Sequence, residues 1–322
     1  MTIEYLTLQP SGDKMPLVGF GCWKVDPKDA PETIYNAIKT GYRLIDSAAN
    51  YKNEEGIGKG IQMAIKDGLV RRQDLFVTTK LWSTYHKKEH VRKALEKQLE
   101  QLQLDYVDMF LVHFPLPLKY VPIEAKYPPG WYQPGEDVIT LDRAPMHECW
   151  AAIEDCVRAG LTRNIGVSNF NVQLLMDMLT YANIRPSLLQ VELHPYLQQE
   201  HLVRWAQQQG IAVTAYSSFG PTSFVSTGSR RAKNVQPLFE NPTIMDIAAK
   251  YNRQPSEVAL RWSLERNVAV VPKSLNVDRM KMNLQALDWK MDEEDVQAIN
   301  GLDMGLRFND PMVNAQKLPI FY

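Results

Sequence analysis

Three short apolar runs of this 322-residue chain end in an ionisable residue: "RLID" in Asp46, "FVTTK" in Lys80 and "MFLVH" in His113. A tyrosine, Tyr51, follows the first of them. A carboxylate closing a buried run is costly unless a cation meets it, so Asp46 either pairs or does chemistry. Lys80 can be that cation. A lysine ammonium beside a phenol stabilises the phenolate and would lower the Tyr51 pKa toward neutrality, while Asp46 keeps the lysine charged and in place. A neutral His113 nearby could hydrogen-bond a carbonyl oxygen and turn it toward the tyrosine. Taken singly, His113 could be a core histidine, Tyr51 a rim aromatic, and Asp46 with Lys80 a structural ion pair. As a proton donor they must converge on one mouth.

The surrounding pattern supplies such a mouth. After a hairpin, "YLTLQPSGDKMPLVG", β-like runs recur as "VGFGCW", "RLIDSA", "LFVTTKLW", "DMFLVHF", "NIGVSN", "LLQVELH", "AVTAYSS" and "VAVVPKS". Segments of helical spacing alternate with them, among them "PETIYNAIKTG", "EHVRKALEKQLEQLQ", "MHECWAAIEDCVRAG", "VQLLMDMLTYA", "EHLVRWAQQQG" and "IMDIAAKYN". Eight such units predict an α/β fold, a closed (β/α)8 TIM barrel forming one domain over residues 1–322, its floor plugged by the N-terminal hairpin. An open doubly wound sheet usually stops at five or six strands. The glycines of "GIGKG" sit inside a helical segment and lack phosphate-loop spacing, which predicts close packing on the barrel. Two long connections, residues 115–145 and 219–242, leave the C-terminal rim, where barrels of this kind carry their reactive groups.

Lys and Arg number 36 against 37 Asp and Glu, with no block of like charge, which argues against a nucleic-acid binder. No apolar stretch is long enough to span a membrane and the N-terminus has no apolar leader segment, so a cytoplasmic protein is expected. Cys22, Cys149 and Cys156 form no CxxC pair and suit a reducing compartment. His86 and His90 could share a helix face as metal ligands, but a charged helix start is the better reading, and no metal is expected. Monomer and homodimer both remain open.

The motifs "GFGCWK", "LIDSAANY", "TTKLW", "LVHFP", "IGVSNF", "QVELHPYLQQ", "AYSSFGP" and "VPKS" resemble, in order and nearly end to end, those of the aldo-keto reductases. The insert "KYVPIEAKYPPGWY" and the tail "GLRFNDP" are similar to the fungal D-xylose (aldose) reductase branch. That resemblance implies NADPH-dependent reduction of an open-chain aldose, such as D-xylose or L-arabinose, to its polyol. In it Tyr51 is the general acid, Lys80 and Asp46 tune it, and His113 positions the carbonyl. Ser168, Asn169 and Gln190 would hold the nicotinamide carboxamide, and Tyr216 would stack on its ring. Ser218, Phe219 and Gly220 match the start of a loop over the pyrophosphate. Lys273, Ser274, Arg279 and Asn283 match the pocket for the adenosine ribose, its 2′-phosphate and the adenine. Trp23, Trp82, Phe114 and Asn309 match the sugar pocket.

The sequence also departs from that branch. Leu275 stands where an asparagine is common, Asn50 replaces the usual aspartate before Tyr51, and "NDPMVN", with Met312, lacks a tryptophan. Ser226 falls where some dual-specificity relatives carry a glutamate for NADH. Asn50 and the missing tryptophan leave room for another pentose or a small aldehyde, whereas Leu275 and Ser226 bear on the cofactor, with no acid at Ser226 to favour NADH. Two other functions compete: an NADP(H)-binding redox sensor on the same barrel, and a sugar isomerase, for which Glu192 is the strand-end glutamate.

Overall fold

The computed structural model describes residues 3–128, 130–132, 135–313 and 317–321. Strands β1 (Tyr5–Thr7) and β2 (Lys14–Pro16) pair antiparallel, Leu6 opposite Met15. Their turn is fixed to the barrel floor from its polar tip. Ser11 donates to Asn164 Oδ1 at 2.6 Å, and Asn164 donates in turn to Asp13 at 2.8 Å.

The barrel proper then alternates strand and helix. Its first half runs β3 (Gly19–Gly21), α1 (Ala30–Thr40), β4 (Leu44–Asp46), α2 (Glu54–Lys66), β5 (Phe76–Leu81), α3 (Lys88–Leu102), β6 (Val107–Val112) and α4 (Met146–Arg158). The second half runs β7 (Thr162–Ser168), α5 (Val172–Tyr181), β8 (Leu188–Glu192), α6 (Glu200–Gln208), β9 (Ala212–Tyr216), then α7 (Thr222–Val225), α8 (Arg230–Lys233), α9 (Pro242–Tyr251), α10 (Pro255–Glu265) and β10 (Val268–Val270). Helices α11 (Val277–Leu284) and α12 (Glu293–Asn300) finish the ring. Eight strands pair in parallel from β3 to β10 in chain order. A bridge from Val18 to Val270 and the bond from Gly21 N–H to the Pro272 carbonyl close the circle.

Central strands are buried on both faces, so they read as continuous apolar runs, and every residue of β5 and β6 is buried. The glycines of α2 carry a packing role. A Cβ on Gly58 would lie 2.5 Å from the Leu102 carbonyl oxygen, and one on Gly60 would lie 2.5 Å from that of Pro31. The connection over residues 219–242 is partly helical, containing α7 and α8, where the sequence suggested only a loop. Four-residue helices carry too little periodicity to be read from sequence. His86 lies in the turn before α3, and burial pushes its pKa down to about 4. His90 instead stacks on Tyr120, so the two do not converge. All three cysteines are free and buried; among the described residues no group of His, Cys, Asp and Glu could hold a metal ion and no helix is long and apolar enough to cross a membrane.

Candidate active site

Parallel pairing in register brings the ends of β4, β5 and β6 side by side. Lys80, fully buried, donates from Nζ to Asp46 Oδ1 at 2.7 Å, to the Ser47 carbonyl at 2.8 Å and to the Tyr51 hydroxyl at 3.3 Å. The other Asp46 oxygen accepts from Gln190 Nε2 at 2.6 Å. The buried charges are therefore paired and hydrogen-bonded, which is the condition for keeping them away from water. Tyr51 arrives on a single 3-10 turn, Ala49–Tyr51, directly after β4.

One expectation changes here. Burial first, and then the Asp46 carboxylate, hold the Tyr51 phenol well above its ordinary pKa rather than near neutrality. The Lys80 charge is already matched by Asp46, so it does not offset the loss of water around the phenol. Tyr51 consequently stands protonated at neutral pH, the form a proton donor needs. Burial, with Lys80 adding to it, pushes His113 well below the usual imidazole value, so its ring is neutral. That ring meets Tyr51 edge to face at 5.9 Å, and its Nδ1 has no hydrogen-bond partner.

A cleft of about 640 Å³ opens above these groups, lined at its depth by Asp46, Tyr51 and His113. Ser168, Asn169, Gln190 and Tyr216 line its next section. Gln190 has committed its amide N–H to Asp46, leaving its oxygen as an acceptor. Asn169 adopts φ +64, donates to the His113 carbonyl at 2.8 Å and accepts from the Tyr216 hydroxyl at 2.7 Å. Asparagine tolerates this left-handed conformation better than most residues. Ser218 and Phe219 also line the cleft. Gly220 does not: its N–H already serves the Ser217 carbonyl, and at φ +54 it lets the turn pass over the His194 ring.

The far end is basic. Lys273, Ser274, Arg279 and Asn283 line it around the start of α11, with the half-exposed Leu275 among them. Burial, then the neighbouring Arg279, lowers the Lys273 pKa, so two cations stand together, and no carboxylate among the described residues is bonded to either. Amide acceptors, a tyrosine ring and an unpaired cation pair follow one another along a single cleft, and this donor set fits a phosphorylated nicotinamide dinucleotide.

The sequence missed the strap across that cleft. Lys24, at φ +62, reaches over to donate to the Ser223 carbonyl and to Ser226 Oγ, the latter at 3.1 Å. Lys24 follows Trp23 in "GFGCWK", and nothing in the motif marks the crossing.

Trp23, Phe114 and Asn309 line the cleft as expected. Trp82 is a correction: it is fully buried one layer back, its indole donating to the Gly130 carbonyl at 3.1 Å. The wall in its place is Trp131 of the long insert, 4.9 Å from Trp82 and edge-on to it, with Phe224 opposite. The aromatic in "PPGWY" was available as a signal, whereas Phe224 had none. Asn50 lines the cleft with its Oδ1 unpartnered, and Met312 is exposed. Glu192 is fully buried, outside the cleft lining, and accepts N–H groups from Phe308 and Asn309, both at 2.8 Å. That leaves the isomerase reading without its base.

Known proteins resemble this chain at several distances. The chain is 54% identical over 311 residues to the NAD(P)H-dependent D-xylose reductase of Scheffersomyces stipitis, covering 97% of this chain and 98% of that one. It is 53% identical over 321 residues to the 4-dihydromethyl-trisporate dehydrogenase of Mucor mucedo, covering 100% of both. The aldose reductase structure from Schistosoma japonicum superposes with a TM-score of 0.85 at 32% identity, covering 97% of this chain and 96% of that one. The model of the aldo/keto reductase family matches residues 17–304, and with Asp46, Tyr51, Lys80 and His113 gathered at one barrel mouth, this chain belongs to that family.

Proposed function

We propose that the protein reduces the carbonyl of an open-chain aldose, a pentose such as D-xylose or L-arabinose, to its polyol, with NADPH as the electron donor. The contact that carries this reading is the buried triad in which Lys80 touches both Asp46 and the protonated hydroxyl of Tyr51. NADPH, when bound, supplies the hydride that reduces the carbonyl carbon. Ser168, Asn169 and Gln190 would hold its carboxamide, Tyr216 its ring, Ser218 and Phe219 its pyrophosphate, and Lys273, Ser274, Arg279 and Asn283 its phosphorylated adenosine end. Tyr51 gives its proton to the carbonyl oxygen as negative charge develops there. Lys80 steadies the phenolate left behind, and Asp46 keeps Lys80 aimed. Neutral His113 holds the carbonyl oxygen in line with Tyr51, and Trp23, Phe114 and Trp131 cover the apolar faces of the substrate.

A second substrate class is supported by the Mucor mucedo relative and by Asn50, which removes an acid from the pocket. In that reading the protein acts on 4-dihydromethyl-trisporate in the oxidative direction. Single-turnover NADPH oxidation with D-xylose by wild type and Tyr51→Phe tests the proton donor of the reductive reading; in the oxidative one Tyr51 would instead accept the proton that the alcohol loses. The phenylalanine variant should lose about 10²-fold or more in the reductive step while binding NADPH as wild type does. Turnover within about tenfold of wild type would remove Tyr51 from the role.

A further inference from the structure

Glu192 ends β8 with no exposed surface, yet it is not part of the proton-donating group. One carboxylate oxygen accepts from Phe308 N–H at 2.8 Å and lies 3.0 Å from His194 Nε2, and the other accepts from Asn309 N–H at 2.8 Å. Two consecutive loop N–H groups, otherwise unsatisfied, thus end on one buried carboxyl group, one on each oxygen. The segment around Phe308 and Asn309 has no strand or helix of its own to fix it. A second tie comes from the same strand end, where Gln199 donates to the Glu192 carbonyl at 2.6 Å and accepts from Arg307 at 3.0 Å.

The tether ends at the cleft. Asn309 Nδ2 donates to the Tyr216 hydroxyl at 2.8 Å, and that hydroxyl donates to Asn169 Oδ1 at 2.7 Å. With an amide hydrogen committed to Tyr216, Asn309 offers its oxygen, an acceptor suited to a hydroxyl donor on the substrate.

We propose that Glu192 is a positioning residue for specificity: it anchors the C-terminal segment that carries Asn309, the residue to which the resemblance to the aldo-keto reductases already assigns the hydroxyl beside the reacting carbonyl. This rests on the aldehyde-reductase reading above. Glu192 touches neither substrate nor cofactor and acts through Asn309. Its removal should therefore be felt by 2-hydroxyaldehydes and not by aldehydes lacking that hydroxyl.

The experiment compares glyceraldehyde with propanal, using NADPH and the full chain. In Glu192→Gln, one of the two N–H groups faces an amide instead of an oxygen, and kcat/KM for glyceraldehyde should fall about tenfold, mainly through KM, with propanal and NADPH binding changed by less than about twofold. In an Asn309→Ala background the same substitution should cost glyceraldehyde nothing more, because the group it positions is gone. Equal losses on both aldehydes, or a further loss in that background, would overturn the proposal. Should Glu192→Gln not fold, Arg307→Ala loosens the segment from its exposed side, and the same selective loss is expected; an equal loss again overturns it. Wild type that reduces propanal without preferring glyceraldehyde removes the hydroxyl-reading role alone. Wild type that reduces neither removes the reductase reading and this inference with it.

Discussion

At the scale of single residues, the site works by satisfying charges in a dry place. Asp46 accepts from Lys80 and Gln190 at once, so one carboxylate joins the Lys80–Tyr51 contact to an amide that lines the cleft. Asp46, Lys80 and His113 could be read from sequence because each closes an apolar run, a position that burial alone does not explain, and Tyr51 because it follows the first of those runs within one short turn. The protonation of Tyr51 could not be read there, since it turns on how completely the phenol is dried and on Lys80 being already matched by Asp46. The cation pair at the other end makes a prediction of the same kind. A 2′-phosphate carries close to two charges and Arg279 can fork onto it, whereas a ribose hydroxyl gains little from a guanidinium. Arg279→Ala should weaken NADPH binding by on the order of 2 kcal/mol and NADH binding by much less. Titrating both cofactors by fluorescence checks this, and an equal penalty for the two would place the phosphate elsewhere.

Elements set the geometry that residues use. The pairing of β4, β5 and β6 converts three distant sequence positions into one mouth, and the strand list predicted from sequence is the strand list of the barrel. Long amphipathic helices were legible for the same reason: they repeat a pattern. The insert over 115–145 repeats none, so its fixings were hidden. Tyr127 reaches Glu54 at 3.4 Å, Lys87 pairs with Asp142 at 2.9 Å, and Trp131 lines the cleft edge-on to the buried Trp82. Gly58 in α2 offers a test of packing against propensity. Alanine would favour the helix by about 1 kcal/mol, but its Cβ must displace backbone of α3 that cannot give way cheaply, and overpacking of this kind costs about 1–3 kcal/mol. Gly58→Ala should therefore lower unfolding free energy in urea, and a stabilised variant would show α2 and α3 to be less tightly seated.

Over the whole molecule, the barrel holds a buried acid that is not part of the site but lies against it. Glu54, at the start of α2, accepts from Thr79 at 2.6 Å beside Lys80, and burial raises its pKa from 4.5 to about 7 against the opposing pull of Thr79, Tyr127, Gln98 and Lys80. The folded state thus keeps a proton that the unfolded chain releases. The stabilisation is fully present below about pH 4.5, falls as pH rises and is gone above about pH 7, a loss on the order of 3 kcal/mol. Denaturant unfolding of Glu54→Gln, which cannot ionise, should lack this slope; parallel pH curves for the two proteins would mean that Glu54 is already charged when folded.

Charge also decides the protein's overall chemistry. No acid stands at Ser226, which instead accepts from Lys24, and among the described residues no carboxylate is bonded to Lys273 or Arg279 at the basic end of the cleft. The most direct measurement is a set of initial rates for the full chain with D-xylose, L-arabinose and propanal, each with NADPH and NADH, beside 4-dihydromethyl-trisporate with the oxidised cofactors. Aldose-dependent NADPH oxidation is expected, with kcat/KM at least about tenfold above that for NADH, equivalent to ~1.4 kcal/mol. Absence of turnover with either aldose, or equal use of the two cofactors, would contradict NADPH-dependent aldose reduction as this protein's function.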